Sequence, residues 1–318
     1  MKKFLKQMKD KPLLICVVGP TAIGKTSLAI ELAKAFSTEI ISADSRQFYK
    51  EMSIGTAVPS KDELNAAPHH FIQTKSIFDD YSVGDFERDA INLITEKFNP
   101  TDEAIEKLST LIMVGGSGLY VDAVVKGLDE FPEVPADIRE KLNLELDKFG
   151  IEHLQEKLKK ADPIYYSKVD IHNPHRLIRA LEIYIATGSP YSSFLNKEAV
   201  QRDFETLFIG LSAERETIYA RINERVDQMI AAGLIEEARS LYTHREKNAL
   251  QTVGYRELFT YFDGNISKEE AISEIKKNTR RFAKRQGTWF KKNEAINWFD
   301  YRTNPSEIIA FINEENAK

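Results

Sequence analysis

One cysteine, Cys16, stands in 318 residues, so neither a disulfide framework nor a cysteine-built structural zinc site can form within the chain. A reduced, intracellular setting follows as the expectation. Long apolar runs are missing too. The stretch Leu13 to Val18 is too short for a signal-peptide core, although the basic segment Met1 to Lys11 precedes it, and nothing approaches the roughly 18 apolar residues of a membrane span. The expected setting is therefore the cytoplasm, with no membrane partner. Charge of one sign is scarce as well: 44 Lys+Arg against 49 Asp+Glu leave a net −5, which argues against indiscriminate coating of nucleic acid or anionic lipid. No internal repeat or low-complexity tract interrupts an ordinary globular composition.

What is present reads as alternating strands and helices. Leu13 to Gly19 is apolar and rich in branched residues, as a parallel strand buried on both faces requires. Helical spacing follows from Lys25 to Phe36. Glu39 to Asp44 and Leu111 to Gly115 read as further strands, with an amphipathic helix at Asp85 to Phe98 between them, so βαβ crossovers and a parallel sheet are expected. After Gly127 the stiff Phe131-Pro132-Glu133-Val134-Pro135 introduces charged helical sequence, Ala136 to Lys160 and Leu177 to Ala186, stopped at Gly188-Ser189-Pro190. Strand composition resumes at Thr206 to Leu211, and Ala295 to Asp300 reads as a last strand. The expected organisation is a core of residues 1–127 and 206–318, interrupted by a helical insert at 128–205.

Gly19-Pro20-Thr21-Ala22-Ile23-Gly24-Lys25-Thr26 matches G-x-x-x-x-G-K-[ST] between an expected strand and an expected helix. Backbone N–H groups and the helix N-terminus cradle phosphate in such a loop, Lys25 adds a cation, and the Thr26 hydroxyl can ligate Mg²⁺. The fold class is thus α/β: a P-loop NTPase-like parallel sheet flanked by helices. Asp44 ends the second strand at the ligand-binding edge, as a metal ligand, a general base or a helix cap. The third strand ends in Gly115-Gly116-Ser117-Gly118, without the aspartate that ordinarily holds Mg²⁺ in ATPases. No guanine-specifying N-K-x-D sequence is present, which disfavours a GTPase-like RNA-binding module.

Six motifs occur in a shared order: the phosphate loop; Asp44 to Tyr49 continuing to Ile54-Gly55-Thr56-Ala57; Pro68-His69-His70; Val114 to Tyr120; His175-Arg176-Leu177-Ile178-Arg179-Ala180-Leu181-Glu182; and Val253 to Arg256. Together they resemble the bacterial tRNA dimethylallyltransferase family, a tRNA isopentenyltransferase family, over about residues 13 to 300. The resemblance implies transfer of the dimethylallyl group of dimethylallyl diphosphate to N6 of the adenosine 3′-adjacent to the anticodon, with Mg²⁺ as cofactor. The loop Gly19 to Thr26 would then hold the diphosphate leaving group, which accounts for the missing aspartate. Asp44 would accept the proton, Thr21 would bond the amine or a diphosphate oxygen, and Arg215 would clamp the diphosphate unless it pairs with Glu214 or Glu216. Contacts to the tRNA anticodon stem-loop map onto Asp44, Ser45, Arg46 and Gln47, onto Ser117 and Arg139, and onto His175 to Arg179. Ser117 stands where the family pattern has threonine, keeping the hydroxyl. His69 and His70 read as structural or RNA-contacting rather than zinc-binding. A monomer is expected.

An acidic total does not exclude RNA, because Lys276 to Lys292 holds eight cations and no acid. Lys276, Arg280 and Lys284 recur every four residues, as do Lys277, Arg281 and Arg285, making two adjacent cationic rows on one helix suited to RNA phosphates, while Ile275, Phe282 and Trp289 recur every seven and are expected to face the core. The alternative reading of the whole chain is a small-molecule kinase using ATP.

Overall fold

The computed structural model describes residues 11–102, 106–195 and 200–317. Apart from Lys11, the basic N-terminal segment lies outside them. In chain order the elements begin with β1 (Leu13–Val18), α1 (Lys25–Ala35), β2 (Ile40–Ser42), α2 (Lys61–Ala66), β3 (His69–His70), α3 (Val83–Phe98), β4 (Thr110–Gly115) and α4 (Gly118–Lys126). Next come α5 (Ala136–Phe149), α6 (Ile151–Ala161), α7 (Pro163–Tyr166) and α8 (Pro174–Thr187). The chain continues through β5 (Glu205–Ser212), α9 (Arg215–Ala231), α10 (Leu234–Leu241), α11 (Tyr255–Phe262), α12 (Lys268–Phe290), β6 (Ile296–Asp300) and α13 (Pro305–Ala317).

Six strands form one parallel sheet in the order β3-β2-β4-β1-β5-β6. The central strands β1 and β4 are buried along their whole length, as sequences without polar alternation must be when helices cover both faces. Their side chains alternate between two cores. Leu14, Cys16 and Val18 pack with Phe48, Phe86 and Phe290 on one face; Ile15 and Val17 pack with Leu28, Leu32 and Ile308 on the other. A third apolar cluster joins α9 to α12 with Tyr49, Met52 and Tyr255. Serine caps fix the starts of α3 and α12, where Ser82 pairs with Asp85 and Ser267 with Glu270 in capping boxes.

The chain divides into two compact units. One takes the chain up to Lys126 and from Arg202 onward, and holds the whole sheet. The other, Gly127–Gln201, is helical, with Leu142, Leu154, Leu158, Leu177 and Leu181 at its centre. Gly150, at φ 79°, separates α5 from α6 within the charged helical stretch. No helix among the described residues is long and apolar enough to cross a membrane.

Two local expectations need correction. The second strand is only three residues long, because Asp44 turns the chain away: its Oδ1 accepts the Arg46 N–H at 3.0 Å. On α12, Ile275 is buried as expected, but Phe282 and Trp289 are 38% and 41% exposed. The buried stripe runs instead through Ala271, Ile275, Ala283, Gln286 and Phe290.

Candidate active site

At the carboxyl ends of β1, β2 and β4 lies a cavity of about 560 Å³. Parallel α/β sheets place ligands at this edge, where loops leave the strands. The phosphate loop forms one wall. Gly19 has φ 143°, and a Cβ there would meet the Leu211 carbonyl oxygen at 2.6 Å, so the chain can turn off β1 only without a side chain. Gly24, at φ 108°, caps α1 and leaves the helix N-terminus facing the cavity with Lys25 and Thr26.

Lys25 Nζ donates to the Pro20 carbonyl of its own loop at 2.8 Å. Burial lowers its ammonium from an ordinary 10.5 to about 8; Asp44 opposes that fall and Arg225 adds to it. Asp44 lines the same cavity. Its neighbour Gln47 is held from both ends: Nε2 donates to the Thr56 and Ala57 carbonyls at 3.2 and 2.9 Å, and Oε1 accepts from Ser42 Oγ at 3.2 Å. Ser117 joins the turn by accepting the Ser45 N–H and donating to Ser45 Oγ, each at 3.3 Å. Arg46 points elsewhere, to the Asn248 and Ala249 carbonyls at 3.0 and 3.2 Å.

The opposite wall comes from α9, and here the sequence expectation for Arg215 fails. Arg215 is exposed at the start of α9, its guanidinium 5.1 Å from the Tyr219 ring, and it does not line the cavity. Arg221 and Arg225 do, with Glu224 and Gln228. Arg221 Nε donates to the Ala22 carbonyl of the phosphate loop at 2.8 Å. Arg225 is pulled below its ordinary pKa by burial, against the charges of Asp44 and Glu63. Two and three turns into the helix, these arginines face the sheet edge, whereas Arg215 at its first position does not. A signal was present: Arg221, Glu224, Arg225 and Gln228 form a polar stripe at spacings of three and four, directly after a sheet strand. Gln286 of α12, also absent from the expected set, reaches Thr21 and Gly116.

The cationic segment is sorted by its partners. Lys276 pairs with Asp227 at 2.6 Å, and Arg280 bonds Asn223 at 2.7 Å and covers Tyr219, so both are engaged with α9. Lys284, the third member of the row, instead lines a shallow groove of about 420 Å³ with Arg281, Arg285, Thr288, Trp289 and Lys292. The groove thus draws on both expected rows, Lys284 from one and Arg281 and Arg285 from the other.

Within the helical unit, Arg139 bonds Glu182 through Nε at 2.7 Å and Nη2 at 2.9 Å, and Arg179 bonds it at 2.5 Å. Arg179 also covers the Phe131 ring at 5.0 Å. Burial opposes ionisation of Glu182, yet the two arginines hold its carboxyl below the ordinary range. His175 and Arg176 are exposed at the start of α8, but Leu177 and Ile178 are buried in the unit's core, so their side chains are not available to RNA. His69 Nδ1 bonds the Ala67 carbonyl, and His70 joins Glu39, which also pairs with Lys97. No group of three or more metal-ligating His, Cys, Asp or Glu side chains occurs among the described residues.

Residues 47–293 match the family described as IPP transferase. A tRNA dimethylallyltransferase of Christiangramia forsetii is 61% identical over 299 residues, 94% of this chain and 97% of the relative. The Flavobacterium johnsoniae protein of the same name is 56% identical, covering 96% and 98%. Among solved structures, the Bacillus halodurans tRNA isopentenylpyrophosphate transferase is 40% identical with TM-score 0.69, covering 96% of this chain and 98% of that one. A eukaryotic dimethylallyltransferase acting on tRNA reaches TM-score 0.77 at 26% identity, covering 96% and 79%. These relatives do not favour the kinase alternative. A phosphate loop without a Walker B aspartate, facing arginines on α9, is thus set in a chain that belongs to the IPP transferase family of tRNA dimethylallyltransferases.

Proposed function

We infer that the chain transfers the dimethylallyl group of dimethylallyl diphosphate to N6 of the adenosine 3′-adjacent to the anticodon in tRNA, releasing diphosphate. One observation carries the chemical assignment: a carboxylate, Asp44, shares a single cavity with Lys25, Arg221 and Arg225. Cations and loop amides stabilise charge building on the leaving group, while the carboxylate serves an amine that must lose a proton. The N6 lone pair forms a bond to the allylic carbon as the carbon–oxygen bond breaks, and that electron pair departs on diphosphate. The N6 proton passes to Asp44. Thr21 bonds the amine or a diphosphate oxygen, and the arginine clamp belongs to Arg221 and Arg225.

The donor set suits Mg²⁺. A hydroxyl at Thr26, with no group of three or more His, Cys, Asp or Glu ligands among the described residues, fits a hard ion that takes most of its coordination from phosphate oxygens and water. Bound there, Mg²⁺ supplies further neutralisation of the leaving diphosphate. For RNA, the helical unit offers Arg139, His175, Arg176 and Arg179. The sheet unit offers Ser45, Arg46, Gln47, Ser117 and the cationic face of α12. An anticodon-loop base costs little to extrude because it is unpaired. A monomer in the cytoplasm completes the reading.

The test incubates the protein with Mg²⁺, unmodified tRNA and labelled dimethylallyl diphosphate, and in parallel with labelled ATP. Label entering RNA only from the prenyl donor is expected; ATP turnover instead would sink the assignment. Asp44→Ala should retain donor binding while kcat falls by about 10²- to 10⁴-fold.

A further inference from the structure

Gln286 is the polar member of the buried stripe on α12 and is only 7% exposed. A buried amide is costly unless bonded, and this one bonds two segments far apart in sequence. Its Oε1 accepts the Thr21 N–H at 2.8 Å, and its Nε2 donates to the Gly116 carbonyl at 2.9 Å. Thr21 belongs to the phosphate loop and Gly116 to the turn after β4, and both line the active-site cavity. The fit at Gly116 is close: a Cβ there would lie 2.2 Å from Gln286 Nε2. A side chain at 116 would displace this amide from its present position.

We propose that Gln286 is a positioning residue that fixes the spacing between the phosphate loop and the Gly116 turn, and so aims Thr21 at the reacting groups. The loop needs an external hold. Ala22, next to Thr21, has φ 62°, a left-handed conformation that a non-glycine residue adopts only when its surroundings impose it. Arg221 grips the Ala22 carbonyl from α9, and Gln286 grips the Thr21 N–H from α12. The α12 hold has a further consequence. The flanking residues Lys284, Arg285, Thr288 and Trp289 line the outer groove, so one helix presents an RNA-facing groove on its surface and the loop's anchor on its inner side. The catalytic part of this role rests on the proposed transfer reaction.

Two variants and two readouts test it. Gln286→Leu removes both bonds at similar volume; kcat should fall by about 10- to 100-fold, as small misplacements at a reacting centre do, with KM for tRNA within about twofold of wild type. Hydrogen exchange at the Thr21 amide should accelerate at least about tenfold while exchange in β1 is unchanged. Gln286→Glu keeps the acceptor for Thr21 but sets a carboxylate against the Gly116 carbonyl; Thr21 stays protected and kcat falls between wild type and the leucine variant. Wild-type kcat in Gln286→Leu, or a loss of kcat without faster Thr21 exchange, overturns the proposal. If the leucine variant does not fold, Gln286→Glu decides, and wild-type kcat there overturns it equally. Absence of transfer by the wild-type protein would instead remove the functional assignment, leaving the exchange measurement to judge the clamp.

Discussion

Glu237 of α10 offers a sharp test of how the cavity wall is held. Its Oε2 accepts the Ser53 and Ile54 N–H groups at 3.0 and 2.8 Å, and its Oε1 accepts the Gly55 N–H at 2.9 Å and the Tyr255 hydroxyl at 2.6 Å. Every partner is a donor. Tyr255 is fully buried, and burial, reinforced by the Glu237 charge, holds its phenol well above the ordinary range. Gly55 is required beside it, since a Cβ would fall 2.6 Å from the Tyr255 ring. The tied segment continues to Thr56 and Ala57, whose carbonyls hold Gln47 in the cavity.

Replacing Glu237 with alanine leaves four donors to find water or nothing. A hydrogen bond to a charged acceptor contributes about 1.5–3 kcal/mol, and a donor left buried costs about 1–3 kcal/mol. Glu237 is half-buried and water can reach part of the site, so full additivity does not hold. We expect a loss of about 3 kcal/mol, which for a unit of this size lowers Tm by about 6–12 °C. Glu237→Gln is the sharper variant. Its amide nitrogen can bond a rotated Tyr255 hydroxyl but only repels the Gly55 N–H, so it should recover less than half of the loss. The assay is thermal and urea unfolding followed by far-UV circular dichroism. A Glu237→Ala cost below about 1 kcal/mol, or a glutamine variant equal to wild type, would refute the reasoning.

Other outcomes follow from charges in the two units. Lys25, with its pKa near 8, binds fewer protons in the folded than in the unfolded chain between about pH 8 and its ordinary 10.5, so its contribution to stability rises with pH across that window. Binding of a non-reactive prenyl diphosphate analogue should therefore take up a proton near pH 8.5, measured by calorimetry in buffers of different ionisation heat, and Lys25→Ala should abolish that uptake. In the helical unit, replacing Arg139 and Arg179 together with Gln strands the buried Glu182 carboxylate; a cost of about 3–5 kcal/mol, read from exchange of α8 amides, should accompany weaker tRNA binding. Because the folded pKa of Glu182 is depressed, its stabilisation is present above the ordinary 4.5 and is lost as pH falls through the folded value. On α12, Lys284→Glu with Lys292→Glu should weaken tRNA binding and flatten its salt dependence; equal losses from Lys276→Glu would contradict the groove as the RNA face.

Much of this site was legible in the sequence where the signal is local. The phosphate loop declares itself because glycine conformation, helix start and strand end all lie within a dozen residues. The central strands were legible because burial on both faces removes polar alternation. Arg225 was harder: it reaches the cavity only because a helix about 200 residues from the phosphate loop arrives at the same sheet edge, and Arg215, nearer the strand, lies ten residues and nearly three turns before it. Gln286 carries no local mark at all, since a glutamine among lysines and arginines reads as surface until the fold buries it.

The cationic segment marks the limit of reading function from charge. Eight like charges in Lys276 to Lys292 identify a helix with a role, but not which cations are free to play it. Lys276 is held by Asp227, Lys277 by Glu274, and Arg280 by Asn223, partners that composition cannot assign. A cation already paired gives up that pairing when it turns to a phosphate, so Lys276, Lys277 and Arg280 should gain less from RNA than an unpaired cation does. Lys284 and Lys292, in a groove beside an exposed tryptophan, incur no such loss, and Trp289 is itself fixed by donating to Asp122 at 2.9 Å. That bond fixes the ring among Lys284, Arg285 and Lys292, and the groove, rather than the paired Lys276 and Arg280, is where we expect phosphate contacts to cost least.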